Sequence, residues 1–336
     1  MRQFWAGRVL ALLTTVVGLA YSQIASAEVT VERSERGAVV KVDGKPFAEY
    51  LTRSGHQPAV WPVIGPTGKA MTRSYPAGPH LEGEMTDHPH HHSLWFTHGD
   101  VNGRDFWRSN EESHQDSQIK HREFVTTEGG ATGKIVTRND WISEGTKICE
   151  DERTLVFGED EFGRYVDFLV TITASEGDLK FGETKEGSFG VRANAPLTVD
   201  SKQGAHITND RGMIDEKAWG MFGNWIDDYG PADGGPADGE VVGIAMFSHP
   251  DNYRHPTRWH ARTYGLLAAN PFGEGEFPKD DSQPKQGAKT LAKGEKLPLH
   301  YRVLLHSGNP QEAHVQKAYE KFVAEGSAGS GSAESR

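Results

Sequence analysis

CEDERTLVFGEDEFGRYVDFLVTIT, residues 149–173, reads as two β-strands joined by a polar loop that begins GEDEFG. In its second half Val166, Phe168, Val170 and Ile172 fall on one side of an extended chain, because successive side chains of a strand point to opposite faces. The same two-residue period recurs at Leu297, Leu299, Tyr301, Val303 and Leu305. Val39 to Val42, then Asp43-Gly44, then Lys45 to Leu51 predicts a hairpin closed by a two-residue turn. Residues 241–247 and 262–268 read as further strands. One helix is expected near the end. Asn309 can cap it, Pro310 suits its first turn, and Glu312 stands where a capping box needs an acid. Val315, Ala318, Tyr319 and Phe322 then form one apolar face. Many strands with turn signals and almost no amphipathic helix predict an all-β fold, a large antiparallel β-sandwich with one C-terminal helix.

Outward from this core, the first residues have the three parts of a secretory signal. Arg2 and Arg8 are basic, an apolar run follows from Val9 to Ala20, and Ala25-Ser26-Ala27 offers small side chains for cleavage. The run is shorter than the roughly 20 apolar residues a bilayer span needs. Residues 1–27 are therefore expected to be a cleaved signal peptide, giving a periplasmic or secreted protein of 336 − 27 = 309 residues with no membrane span after cleavage. Residues 28–325 read as a single β-sandwich domain and 326–336 as a disordered Gly/Ser tail. Two internal stretches, 229–239 and 274–294, read as loops rich in Pro and Gly.

The formal charge is −11, and −13 without Arg2 and Arg8. An acidic surface repels nucleic acid and anionic lipid, so neither is expected as a partner. The single cysteine, Cys149, excludes an internal disulfide and cysteine-built zinc cages. Its strand-like setting reads as a buried, inert thiol.

Three segments carry the chemistry. Residues 87–98, DHPHHHSLWFTH, hold five of the sixteen histidines. Imidazole exchanges protons near neutral pH and also binds metals. Pro89 makes the entry a rigid loop. Alternation from His91 onward puts His91, Ser93 and Trp95 on one side and His92, Leu94 and Phe96 on the other. The functional reading is a site built from His88, His90 and His91, with Asp87 orienting one ring. The alternative is a solvated polar loop. Residues 181–194, FGETKEGSFGVRAN, crowd Lys185, Glu186 and Arg192 among glycines. This reads either as an acid or base beside a cation or as a surface hairpin with a salt bridge. Residues 249–273, HPDNYRHPTRWHARTYGLLAANPFG, mix Trp259, His260, Arg262, Tyr264 and Asn270. That mixture suits a carbohydrate cleft, with an aromatic-rich core edge as the alternative. No cofactor is firmly implied. A divalent metal stays open, but there is no HExxH spacing, and a ligand set would need a distant partner such as His121, His255 or His260.

DHPHHHSLWFTHGDVNGRDFW, His121, ETKEGSFGVR and the 249–273 segment together resemble the bacterial family of unknown function DUF6807, often labelled methane oxygenase PmoA. The likeness runs from about Tyr50 to the final helix. It departs at His92, where the family pattern has an arginine after the paired histidines. The resemblance implies a galactose-mutarotase-like supersandwich, a fold used by sugar epimerases and several polysaccharide lyases. The methane label fits poorly, because the methane monooxygenase subunit of that name spans the membrane several times and this chain has no such helix.

The leading expectation is an exported carbohydrate-active enzyme, a lyase, epimerase or hydrolase acting on a sugar or polysaccharide fragment, with a carbohydrate or other small molecule as its partner. His90 or His91 would exchange the proton and Glu186 would act as the opposing acid or base. Arg192 and Arg262 would hold a carboxylate or oxyanion. Tyr264 and Asn270 would position the ring, with Asp87, His88, Trp95, Trp259 and His260 lining the cleft. The alternatives are a non-catalytic glycan-binding protein, using Trp95, Trp259 and Tyr264, and a metal-dependent oxygenase.

Overall fold

A computed structural model describes residues 1, 27–108, 116–232, 239–277 and 287–330. Nearly all of the expected signal segment, and residues 331–336 of the expected tail, lie outside the described residues. One antiparallel sheet runs β1 (Val29–Arg33), β2 (Gly37–Val42), β3 (Lys45–Ser54), β4 (Gln57–Val63), β5 (Leu94–His98), β11 (Gly187–Arg192), β17 (Leu266–Asn270), β16 (Thr257–Trp259), β13 (Phe222–Gly223). The second runs β12 (His206–Asn209), β14 (Trp225–Pro231), β15 (Val241–Ser248), β19 (Lys296–Ser307), β9 (Gly163–Thr173), β8 (Thr146–Asp160), β7 (Gly133–Ser143), β6 (Ser117–Glu128). A short ribbon pairs β10 (Leu179–Phe181) with β18 (Lys289–Leu291). Among the described residues there is one α-helix, α1, which spans Val315–Ser330.

The two sheets face each other across an aromatic seam. Phe96 of the first sheet meets Phe168 of the second at 6.1 Å between ring centroids, Phe189 meets Phe168 at 4.7 Å, and Phe47 meets Phe157 at 5.8 Å. The alternation in β9 and β19 places Val166, Phe168, Val170, Ile172, Leu297, Leu299, Tyr301, Val303 and Leu305 in this core, together with Cys149. The opposite face of β19 is also covered. Leu304, Phe247 and Trp225 pack against Val315, Ala318, Tyr319 and Phe322 of α1. This explains why Arg302 and His306, polar by their period, are buried. Asn309 and Glu312 form the expected reciprocal bonds, Glu312 N to Asn309 Oδ1 at 3.1 Å and Asn309 N to Glu312 Oε2 at 3.0 Å. They close a turn that leads into α1 through left-handed His314.

The hairpin at Asp43-Gly44 has both central residues left-handed, φ 49° and 73°, as the two-residue turn requires. Four segments differ from the sequence reading. Residues 229–231 complete β14, and β18 lies within 274–294, both because a partner strand pairs their backbones. Residues 262–268 are not one strand: the chain turns at 263–265 through left-handed Gly265 (φ 92°), and β17 starts at Leu266. The helix continues to Ser330, into the Gly/Ser stretch assigned to the tail.

Some charge lies inside. On β14, Asp228 is fully buried and neither carboxylate oxygen has a hydrogen-bond partner among the described residues. Burial, with Asp227 and Asp215 nearby, pushes its pKa well above the ordinary range. A carboxyl raised in the folded state holds its proton after the unfolded chain has lost it near pH ~3.9, so stability falls as pH rises through that window. Asp228→Asn removes this penalty. It is expected to melt higher than the parent at neutral pH, with the difference shrinking to nothing towards roughly pH 3. Melting curves over that range check it, and a difference independent of pH would contradict it.

Candidate active site

The central strands β5, β11 and β17 bring the three chemical segments onto one outer face of the first sheet. Register sets the arrangement. Val191 pairs with Leu94 and Arg192 with Leu266, so Arg192 stands beside the residues entering β5 and those leaving the 263–265 turn. Glu186 lies at the other end of β11, where its carbonyl accepts the Gly99 N–H at 2.7 Å. Glu186, in the segment before β11, feels the charges of Arg108 and Arg262, and Gly190 and Arg192 share the outer face by the period of the strand. Its floor is Trp95, Leu266 and Ala268, with Trp107 laid against Trp95 at 5.2 Å. Gly190 is required here, since a β-carbon would lie 2.9 Å from the Trp95 indole.

At the Arg192 end the histidine loop is clamped from beneath. Arg73, 2% exposed, donates to the carbonyls of Tyr75, Asp87, His88 and His91 and to Asp87 Oδ1 at 2.8 Å. Arg192 donates to Asp87 Oδ1 at 2.9 Å and to His91 Nδ1 at 3.1 Å. Because arginine only donates, His91 accepts at Nδ1 and carries its proton on Nε2. Asp87 in turn bonds His88 Nδ1. His88 sits at φ 47°, a left-handed position that lifts its ring out of the loop. Tyr264, His88, His91 and Trp95 form a stack, with successive centroids at 4.8, 4.8 and 5.5 Å. The Arg192 guanidinium lies 4.6 Å from the Tyr264 ring centre.

Burial separates the histidines. His90 and His91 are buried, which pushes the pKa of His90 down to about 3 and that of His91 well below normal. His88 has a side chain 38% exposed. Burial would raise the Asp87 pKa, but Arg192, the His88 bond and Arg73 outweigh it and hold the carboxylate below its ordinary range. Thus the loop presents one accessible imidazole, oriented by an ionised carboxylate, above two neutral buried ones.

At the other end Glu186 is largely buried, with its side chain 16% exposed. Burial raises its pKa against the pull of Lys185, Arg108 and Arg262. Arg262 donates to His260 Nε2 at 3.1 Å and lies over Trp219, 5.0 Å from the ring centre. Tyr264 stands between the two ends. Its pKa is raised by burial and is felt by Arg262, Arg192, Glu186 and Asp87, so its hydroxyl keeps its proton.

Asp87, His88, His91, Arg192 and Tyr264 are thus in direct contact, and Glu186, His260 and Arg262 lie on the same face. Several expected roles need correcting. Trp259 is 0% exposed, faces the other sheet and donates its indole N–H to Gly223 O at 3.0 Å, so it offers no ring to a ligand. Trp95 is covered by His91. Asn270 is buried with both side-chain atoms spent, Nδ2 on Thr184 O at 2.8 Å and Oδ1 on Phe272 N at 3.1 Å. Arg192 is occupied by Asp87 and His91, and the covered His90 and His91 are not positioned to meet a substrate. His92 turns to the other side and bonds Ser54 Oγ at 2.8 Å. Sequence reasoning missed Arg73, which stands in no motif, and Trp107 and Arg108, although Trp107 ends the histidine motif. Among the described residues no group of three or more His, Cys, Asp or Glu side chains is arranged to hold a metal ion, and no helix is long and apolar enough to cross a membrane.

The family model described as a family of unknown function, DUF6807, matches residues 37–320. No curated protein matches the sequence. Among solved structures, a heparan sulfate lyase HepC from Pedobacter heparinus is similar at 10% identity and a TM-score of 0.33, covering 84% of this chain and 36% of that one. This chain therefore spans about a third of the lyase's length. A putative aldose 1-epimerase from Escherichia coli K12 is similar at 8% identity and a TM-score of 0.36, covering 84% of this chain and 100% of that one. A galactose mutarotase-like protein from Lactobacillus casei is similar at 10% identity and a TM-score of 0.37, covering 83% and 100%.

Proposed function

The chain belongs to the DUF6807 family of unknown function, and from its site we propose a carbohydrate-active enzyme that moves a proton on a sugar bearing an acidic group. The observation that carries this reading is the Asp87–His88 pair at the open end of the outer face. Asp87 fixes the proton of His88 on Nδ1, leaving Nε2 as the proton acceptor. Tyr264, stacked on His88 with a protonated hydroxyl, is the acid that returns a proton to the sugar oxygen. Arg262 makes no ion pair with a carboxylate among the described residues, which suits it to a substrate carboxylate or sulfate. Burial holds the Glu186 pKa above that of an ordinary glutamate, which suits its carboxyl to acid–base contact with a sugar hydroxyl.

The test is a screen of uronate-containing and neutral oligosaccharides for turnover by the parent protein, followed by two variants. Tyr264→Phe should lower kcat by about 10², the lower end of the general-acid range, with KM little changed. Arg262→Ala should raise KM by roughly tenfold on the acidic substrate, the loss of about 1.4 kcal/mol, and leave neutral ones unaffected. Binding across the panel without any turnover would overturn the reading and leave a glycan-binding protein.

A further inference from the structure

Behind the histidine loop lies a second cavity, of about 260 Å³, between the end of β3, the turn at Gly55-His56 and the start of β6. Its polar lining includes Thr52, Arg53, His56, Gln118, Lys120 and His121, and none of its lining residues is a carboxylate. In a chain of formal charge −11 this is a local reversal of sign. Most arginines of the described structure have an acidic partner, such as Arg122, Arg138 and Arg302. Arg53 and Lys120 have none among the described residues. Arg53 spends only Nε, on Gly55 O at 3.2 Å, which leaves its terminal nitrogens uncommitted. His121 Nδ1 is buried without a hydrogen-bond partner among the described residues.

The wall is also built rigidly. Ile119 N donates to His56 O at 2.8 Å, tying β6 to the turn. His92 lies directly beneath left-handed Gly55, where a β-carbon would come within 2.9 Å of its Cε1, and Ser54 Oγ holds its Nδ1. The cavity is smaller than the roughly 300–1,000 Å³ of typical ligand sites, which suits a single charged group better than a whole sugar chain.

The geometry points to a binding site for a small oxyanion, a phosphate or sulfate group, held by Arg53 and Lys120 with His56, His121 and Thr52 around it. Two cations without carboxylate partners among the described residues, lining one concave surface with the Thr52 hydroxyl and the Gln118 amide, offer the charge and hydrogen bonds that a tetrahedral oxyanion takes up. The site is separate from the Asp87–His88 face, since His92 and His91 point to opposite sides of the chain between them.

Calorimetry on the full chain with inorganic phosphate, inorganic sulfate and chloride tests this. Phosphate or sulfate is expected to bind one to one, weakening as salt is added, and chloride not to compete at equal concentration. Both cationic side chains are on exposed residues, so Arg53→Ala combined with Lys120→Ala should keep the parent melting temperature and lower the affinity at least tenfold. A sulfated monosaccharide binding tighter than inorganic sulfate assigns the group to a glycan, whereas equal affinities assign it to the free anion. No binding of either oxyanion, or binding unchanged in the double variant, overturns the site. Tyr264→Phe should bind phosphate as the parent does, so this result stands or falls apart from the proposed enzymatic reading.

Discussion

His88→Asn is expected to lower turnover by roughly 10³–10⁴, the upper end of what a positioned acid or base contributes, while the protein stays folded. The reason lies in the division of labour around the loop. Arg73 and Arg192 carry the structural load by gripping Asp87 and the loop carbonyls, and His91 and Trp95 fill the space beneath. His88 adds little to that packing, because its ring stands at the open end and is 38% exposed. Removing the imidazole therefore takes away a proton acceptor without leaving a buried charge unpaired. His91→Asn should behave differently. His91 is buried and accepts from Arg192, so its loss should show first as a lower melting temperature. Kinetics and melting curves on the two variants separate the roles. Turnover of His88→Asn within twofold of the parent would remove His88 from the chemistry.

Asp151→Ala is expected to cost about 3–5 kcal/mol of stability, the usual result of stripping one partner from a buried ion pair. Asp151 and Arg153 lie two residues apart on β8 and both face the core between the sheets, with side chains 0% and 1% exposed. The Asp151 carboxylate accepts from Asn139 Nδ2 at 2.6 Å, Trp141 Nε1 at 2.8 Å and Arg153 Nη2 at 2.8 Å. Arg153 then reaches across the core and donates to Phe96 O at 3.3 Å on β5, the strand that follows the histidine loop. Its guanidinium is flanked by the Phe96 and Phe168 rings at 5.8 Å each. Alanine at 151 leaves that guanidinium buried without its counter-charge. A typical net stability is only about 5–15 kcal/mol, so the midpoint in urea should fall sharply. Adding Arg153→Met should recover part of the loss, because the charge is then gone as well. A double variant no more stable than Asp151→Ala would argue that the packing of Arg153, not its charge, matters.

These networks show where reading along the chain stopped. The alternation in 149–173 and 297–305, the Asp43-Gly44 turn and the apolar face of the helix are local patterns, set by the geometry of an extended or helical backbone, and they were legible before any contact was known. So was the chemical weight of residues 87–92. Exposure within that segment was not. Whether His88 or His91 meets solvent depends on Arg73 and Arg192, 18 and 101 positions from His91, and on the left-handed turn at His88. Trp259 and Tyr264 looked equally suited to a sugar, yet β16 turns the first into the core while Gly265 carries the second to the outer face.

The sequence by itself determined the class of fold, the hairpin, the helix and the segments rich in reactive side chains, because these follow from periods of two and 3.6 residues and from residue chemistry. Only the tertiary structure decided which imidazole is open, which tryptophans are covered and which arginines have partners. Those properties arise from contacts between strands distant in sequence, where one layer of the sandwich buries a face that local periodicity leaves undecided.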